Sequence, residues 1–159
     1  MLQLPYFWGR VMTEDINKLF SEYAVRRQET QASEQKLREQ RMVRQQKAYG
    51  VFTSTVLPTL RDIAAVSKAN GHRAELKEAG NSRPSVRFEF LVRDARLPST
   101  LHIDHDDATD QVSMRRVVNT DSATDHESSE SVSISVISEE LVRTTAVDFV
   151  RAVLQASGV

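Results

Sequence analysis

Residues 85–93 read SVRFEFLVR, and they decide what the rest of the chain must build. Val86, Phe88, Phe90 and Val92 alternate with Arg87, Glu89 and Arg93, the period-two pattern of a strand with one apolar and one wet face. Leu91 is the one apolar residue on the polar side. Such a strand leaves a greasy face that only sister strands and a covering layer can bury.

Working outward, the sister strands follow in both directions. Ser99–His105 turns Leu101 and Ile103 inward, and Gln111–Val118 does the same with Val112, Met114 and Val118. Ser131–Ile137, SVSISVI, alternates Val132, Ile134 and Val136 with serine. Upstream, His72–Ala79 offers Ala74 and Leu76, and the Gly-Asn-Ser-Arg-Pro run at 80–84 supplies a turn. Asn119–Glu130, NTDSATDHESSE, reads as a long polar, mobile loop. Short turns between such strands imply an antiparallel meander.

Helices flank this block. Val51, Phe52, Val56, Leu57, Leu60, Ile63, Ala64 and Val66 predict a core-facing helix that stops at Asn70-Gly71. Pro58 inside it predicts a kink or a first helical turn. At the other end, Ser138 ahead of Glu139 and Glu140 is an N-cap signature. Leu141, Val142, Thr145, Ala146, Phe149, Val150, Val153 and Leu154 then form an apolar side. The expected fold class is α+β: a two-layer domain whose four- to five-stranded antiparallel meander is covered on one face by helices. A long polar N-terminal helix precedes it.

That helix predicts three regions: an aromatic segment over 1–12, a helical arm over 13–48 and a head over 49–159. Thr13 reads as the arm's N-cap, and Ile16, Leu19, Phe20 and Tyr23 follow at i, i+3, i+4 and i+7. Beyond Val25 the apolar stripe fades. Arg26–Lys47 holds six glutamines, seven basic and three acidic residues, with Leu37, Met42 and Val43 as its main apolar content. Helix formers dominate there, without Gly or Pro, so a helix is expected with little to bury. Tyr49-Gly50 reads as a break between arm and head.

Composition excludes more than it indicates. The chain has 159 residues and no cysteine, which removes disulfide frameworks, thiolate metal sites and cysteine nucleophiles. No apolar run is long enough to span a membrane, and MLQLPYFWGR lacks the basic and apolar regions of a signal peptide. A cytoplasmic protein is the expectation. Residues 1–70 carry 11 Lys/Arg and 7 Asp/Glu, net +4, and residues 71–159 carry 10 and 15, net −5. Opposite halves of this kind attract weakly across a screened solvent.

Chemistry-bearing motifs are few. No G-x-x-x-x-G-K-[ST], G-x-G-x-x-G or G-x-S-x-G occurs. His102-Ile103-Asp104-His105-Asp106-Asp107 is the one dense imidazole–carboxylate cluster, with ligand types that suit zinc, manganese or iron. It resembles the HxHxDH box of metallo-β-lactamase-like hydrolases but lacks the first histidine, and the chain lacks that family's length, so no role is carried over. On a strand, His102 and Asp104 share one face while His105 points to the other. No cofactor is expected and no catalytic residue is assigned, a small metal-dependent hydrolase ranking last among the readings.

The leading expectation is a non-catalytic interaction or assembly subunit. Tyr6, Phe7 and Trp8 form an aromatic docking segment, and Ile16, Leu19, Phe20 and Tyr23 extend it along the arm. The partner is another protein or a second copy of the chain. The alternative is a nucleic-acid-binding accessory protein using Arg26, Arg27, Arg38, Arg41, Arg44 and Lys47. Against it, Glu29, Glu34 and Glu39 interleave with those cations, as on a solvated face. Arg116, between Met114 and Val118 on the apolar side of its strand, calls for a bulge, a rim position or a carboxylate such as Asp148.

Overall fold

A computed structural model describes residues 5–79, 83–120 and 126–158, with side chains from residue 13 onward. By internal packing the chain divides into two units, Met1–Gln40 and Arg41–Val159.

The N-terminal helix, α1, runs Pro5–Val51. It starts eight residues before the N-cap expected at Thr13, at a proline, whose fixed φ and missing N–H suit the first helical position. Nor does the chain break at Tyr49-Gly50, since Gly50 lies inside α1. One helical glycine costs about 1 kcal/mol against alanine. Ala48 and Phe52 on either side are buried in the core and hold the register.

The irregularity comes just afterwards. Phe52–Val56 forms a single π-helical stretch before α2, Leu57–Ala69, with Pro58 in the first turn of α2. Proline cannot donate to the residue four back and its ring crowds that carbonyl. A widened turn is the usual way a continuing helix accommodates this. Phe52 and Val56 stay buried through it. Helix α2 ends as expected: the Gly71 N–H reaches the Lys68 carbonyl at 3.0 Å and the His72 N–H reaches Ser67 at 3.1 Å. Gly71 takes φ +83°, the left-handed value that closes such an end without a Cβ penalty.

Five strands follow: β1 Arg73–Glu78, β2 Ser85–Leu91, β3 Ser99–Asp106, β4 Gln111–Val118 and β5 His126–Ser133. They form one antiparallel sheet in the order β1-β2-β3-β4-β5, a meander with β1 and β5 at its edges. Ala74, Val86, Phe88, Phe90, Leu101, Ile103, Val112, Met114 and Val118 are all buried on the face the alternation assigns to them. Helix α2 and the C-terminal helix α3, Glu139–Ala156, cover that face. Phe149 of α3 meets Phe88 edge-on at 6.1 Å. Ser138 caps α3 by accepting from the Leu141 N–H at 3.1 Å. The result is a two-layer α+β fold.

One strand sits elsewhere than expected. His126–Glu130, assigned to a mobile loop, is the first part of β5, while residues 121–125 lie outside the described residues. The strand ends at Ser133 and passes into a 3₁₀ turn, Ile134–Val136, so Ile134 is buried but Val136 is exposed. As an edge strand β5 pairs through its backbone with β4 alone, and only Val132 of HESSESVS packs partly against the core, so little apolar alternation is needed. Val66, expected in the core, is also exposed.

Candidate interaction surfaces

The stripe on α1 is the first surface. At 100° per residue, Ile16, Leu19, Phe20 and Tyr23 share one face. All four are exposed, Leu19 by 64% and Phe20 by 68%. Tyr6, Phe7 and Trp8 have helical backbone, and their side chains lie outside the described residues. Further along the same face come Arg27, Glu34, Arg38 and Arg41, so an acid stands among the arginines. Arg26, Arg38, Arg41 and Lys47 are exposed, whereas Arg44 is half-buried.

Arg44 has a structural task that the sequence did not reveal. Its guanidinium donates to the carbonyls of Asp107, at 3.3 Å, and Ala108, at 2.8 Å, in the β3–β4 turn. That turn is braced from within as well. The Asp106 carboxylate accepts the Ala108 N–H at 3.0 Å and the Thr109 hydroxyl at 2.8 Å. Those two bonds, the backbone one foremost, hold the Asp106 carboxyl below the ordinary carboxylate range. Asp110 takes φ +56°, and its carbonyl accepts the Ile134 N–H.

The His102–Asp107 cluster is therefore split. His105 faces the core beside Ile103, with Nε2 3.0 Å from Asp110 Oδ1 and a buried Nδ1 that has no hydrogen-bond partner among the described residues. Because an ionised carboxylate only accepts, Nε2 carries the hydrogen. His102 and Asp104 lie on the opposite, open face, where Asp104 accepts from the Ser85 hydroxyl. Among the described residues no three His, Cys, Asp or Glu side chains converge as a metal site.

The open face of the sheet is the second surface. Lys77, Arg87, His102 and Arg115 form a transverse row across β1 to β4, each opposite the next in register. Each permanent cation has a carboxylate: Lys77 and Arg87 share Glu89 at 2.8 and 3.0 Å, and Arg115 meets Glu127 at 3.0 Å. Glu89 is only 14% exposed, while Lys77 and Arg87 reach it from the solvent side. Neighbouring Glu75 is lowered by its bond to Arg73 and that residue's charge. His102 is lowered first by burial and next by the Arg87 charge, with Arg115 adding to it and Asp104 opposing. This face neutralises itself.

Arg116 is accounted for on the rim of the apolar side. It pairs with Glu130 of β5 at 2.9 Å, whereas Asp148 pairs with Arg151 on its own helix. The partner was hidden in the sequence because Glu130 read as loop.

A third surface lies on the outside of the head, between α2 and α3. Ile63 and Val66 from one helix and Val147 and Val150 from the other floor a groove of about 280 Å³. Asp62 and Arg143 stand at its border. Val66 is 63% exposed and Val147 40%. No helix among the described residues is long and apolar enough to cross a membrane. Comparison with known proteins gives no match to any family model, curated protein or solved structure.

Proposed function

We propose that this chain is a non-catalytic docking and assembly protein whose N-terminal helix inserts an apolar face into a groove on a partner. The observation that carries this reading is the exposed stripe Ile16, Leu19, Phe20 and Tyr23 on a 47-residue helix. That spacing is how a helix presents anchors to an apolar groove. Large aliphatic and aromatic side chains left in water on a helix this polar add only about 0.2–0.5 kcal/mol per i,i+3 or i,i+4 pair to its own stability. Each burial of such a side chain contributes about 1.5–3 kcal/mol when a partner supplies the cover. Tyr6, Phe7 and Trp8 extend the proposed docking segment toward the N-terminus, adding aromatic area of the kind that dominates interface energetics. The cations of the arm serve solubility and steering in this reading. Glu34 among Arg27, Arg38 and Arg41 weakens the field a phosphate backbone would meet.

A photo-reactive amino acid at position 19, activated in cells that express the chain, tests it. The expected outcome is one discrete adduct that disappears when Ile16 and Phe20 are changed to Ala. A diffuse ladder, or an adduct indifferent to those changes, would show that the stripe has no specific receptor. The adduct's mass also reports the receptor's identity, since a second copy adds 18.0 kDa.

A further inference from the structure

The groove between α2 and α3 and the stripe on α1 match each other in three respects. The first is length. From Ile16 to Tyr23 the stripe advances seven residues, about 10.5 Å at 1.5 Å per residue. Along α3 the lining of the groove, from Arg143 to Val150, covers the same seven-residue interval, with the apolar floor at Val147 and Val150 taking its C-terminal half. The second is character. The floor of Ile63, Val66, Val147 and Val150 consists of β-branched side chains with restricted rotamers. It is a stiff apolar trough, and Leu19, Phe20 and Tyr23 are the more exposed members of the stripe. The third is charge. Asp15 and Glu22 run along one border of the stripe, and Arg27 continues the face one turn beyond Tyr23. The groove offers Arg143 and Asp62, one charge for each sign.

From this correspondence we infer that the receptor for the docking helix is the α2–α3 groove of a second copy of the chain. The inference rests on the docking reading above and adds the identity of the partner. Each copy brings one stripe and one groove, so the chain is complementary to a second copy of itself. Seating the stripe packs a third helix across α2 and α3 and covers Val66 and Val147, which the head itself leaves in water. Arg143 would exchange its exposed pairing with Glu139, at 2.6 Å, for a carboxylate of the incoming helix. Exposed pairs of this kind contribute little, so the apolar contact supplies the affinity and the charges select orientation.

Because stripe and groove lie on different parts of the chain, they can be disabled separately. Sedimentation of the purified full chain should show concentration-dependent self-association. Leu19→Glu with Phe20→Glu should abolish it, and so should Val66→Glu with Val147→Glu. All four positions are exposed, and unchanged thermal unfolding of each variant confirms that the head is intact. Should the groove pair prove unfolded, Val66→Lys alone serves in its place. Mixing the stripe variant with the groove variant leaves one good stripe and one good groove, and a one-to-one complex should reappear. A groove variant that still self-associates, a mixture that stays monomeric, or a wild-type chain that never self-associates would each overturn the inference. The last result, combined with a discrete adduct of another protein at position 19, would leave the docking reading standing and the self-receptor refuted.

Discussion

Phe20 and Phe88 carry the same side chain in opposite circumstances. Phe88 is fully buried in the sheet, stacked near Phe90 and edged by Phe149, whereas Phe20 is more than two-thirds exposed on α1. The difference extends to the units around them. The head, Arg41–Val159, directs its periodic apolar residues into one core between a sheet and two helices. In the arm, Met1–Gln40, the helix from residue 13 on rests on propensity and on local pairs such as Gln35 to Glu39 at 3.1 Å. Glu22 and Arg26, and Glu34 and Arg38, stand four apart with the acid first, the favourable order. Each such pair adds only about 0.2–0.5 kcal/mol. The lesson is that one chain devotes its apolar surface to folding in one place and keeps it available in another.

Truncating the two phenylalanines separates these uses, and it carries the largest effect expected here. Phe88→Ala should lower the unfolding free energy of the head by about 3–5 kcal/mol, the range for emptying a packed aromatic site. Phe20→Ala, measured in dilute solution, should change it by less than about 0.5 kcal/mol, as an exposed substitution does. Denaturant titration of both variants decides the matter. A large loss from Phe20→Ala would mean that the arm's apolar face belongs to a core, and the contrast between the units would collapse.

A smaller effect sharpens the continuity of α1 at its C-terminal end, within the head. Gly50 has ordinary helical geometry, and a Cβ added to it would meet nothing within 4 Å. Gly50→Ala should therefore stabilise the chain by about 0.5–1 kcal/mol, by removing backbone freedom that the helix must otherwise give up. A thermal melt showing the opposite sign would reveal that Gly50 departs from helical geometry in the native ensemble.

How much of this was legible in the sequence follows from where the stabilising interactions come from. Where burial decides, as in β2, β3, β4, α2 and α3, alternation or helical spacing located each element, and the Ser138 cap and the Gly71 stop were readable residue by residue. Where backbone pairing decides, the pattern is silent. HESSE at 126–130 looks like a loop because this part of β5 is held by main-chain bonds to β4 and by Arg115–Glu127 and Arg116–Glu130 across the ladder. Local breaker rules also misled at Thr13 and Gly50, because neighbouring helical residues outvote a single cap or glycine. Among the surfaces, the stripe was visible from its spacing. The α2–α3 groove was not, since Val66 and Val147 sit in apolar runs and only the packed structure shows them facing outward. Arg44 gave no signal at all, its partners being backbone carbonyls 63 and 64 residues away.

The smallest effect expected concerns His102, and it distinguishes the charged open face from the apolar one behind it. Burial and the flanking Arg87 and Arg115 hold its imidazole below its ordinary value, with Asp104 and Glu89 pulling the other way. The unfolded chain, whose histidine titrates near about 6.5, therefore takes up a proton before the folded chain does. The stability that the neutral ring preserves is complete above that value and is lost as pH falls through the lower folded one. His102→Gln removes the titration while keeping a polar side chain, so its stability should decline less steeply over about pH 5–7, the window in which histidine changes charge. The ring is partly solvated, which keeps the difference in slope modest. Comparing denaturant unfolding of the two proteins across that window measures it. Equal slopes would mean that the ring is as well solvated as in the unfolded chain and that solvent screens Arg87 and Arg115 from it. In that case the row Lys77, Arg87, His102 and Arg115 would act as separately solvated charges, and the coupling would stop at the Lys77–Glu89–Arg87 knot.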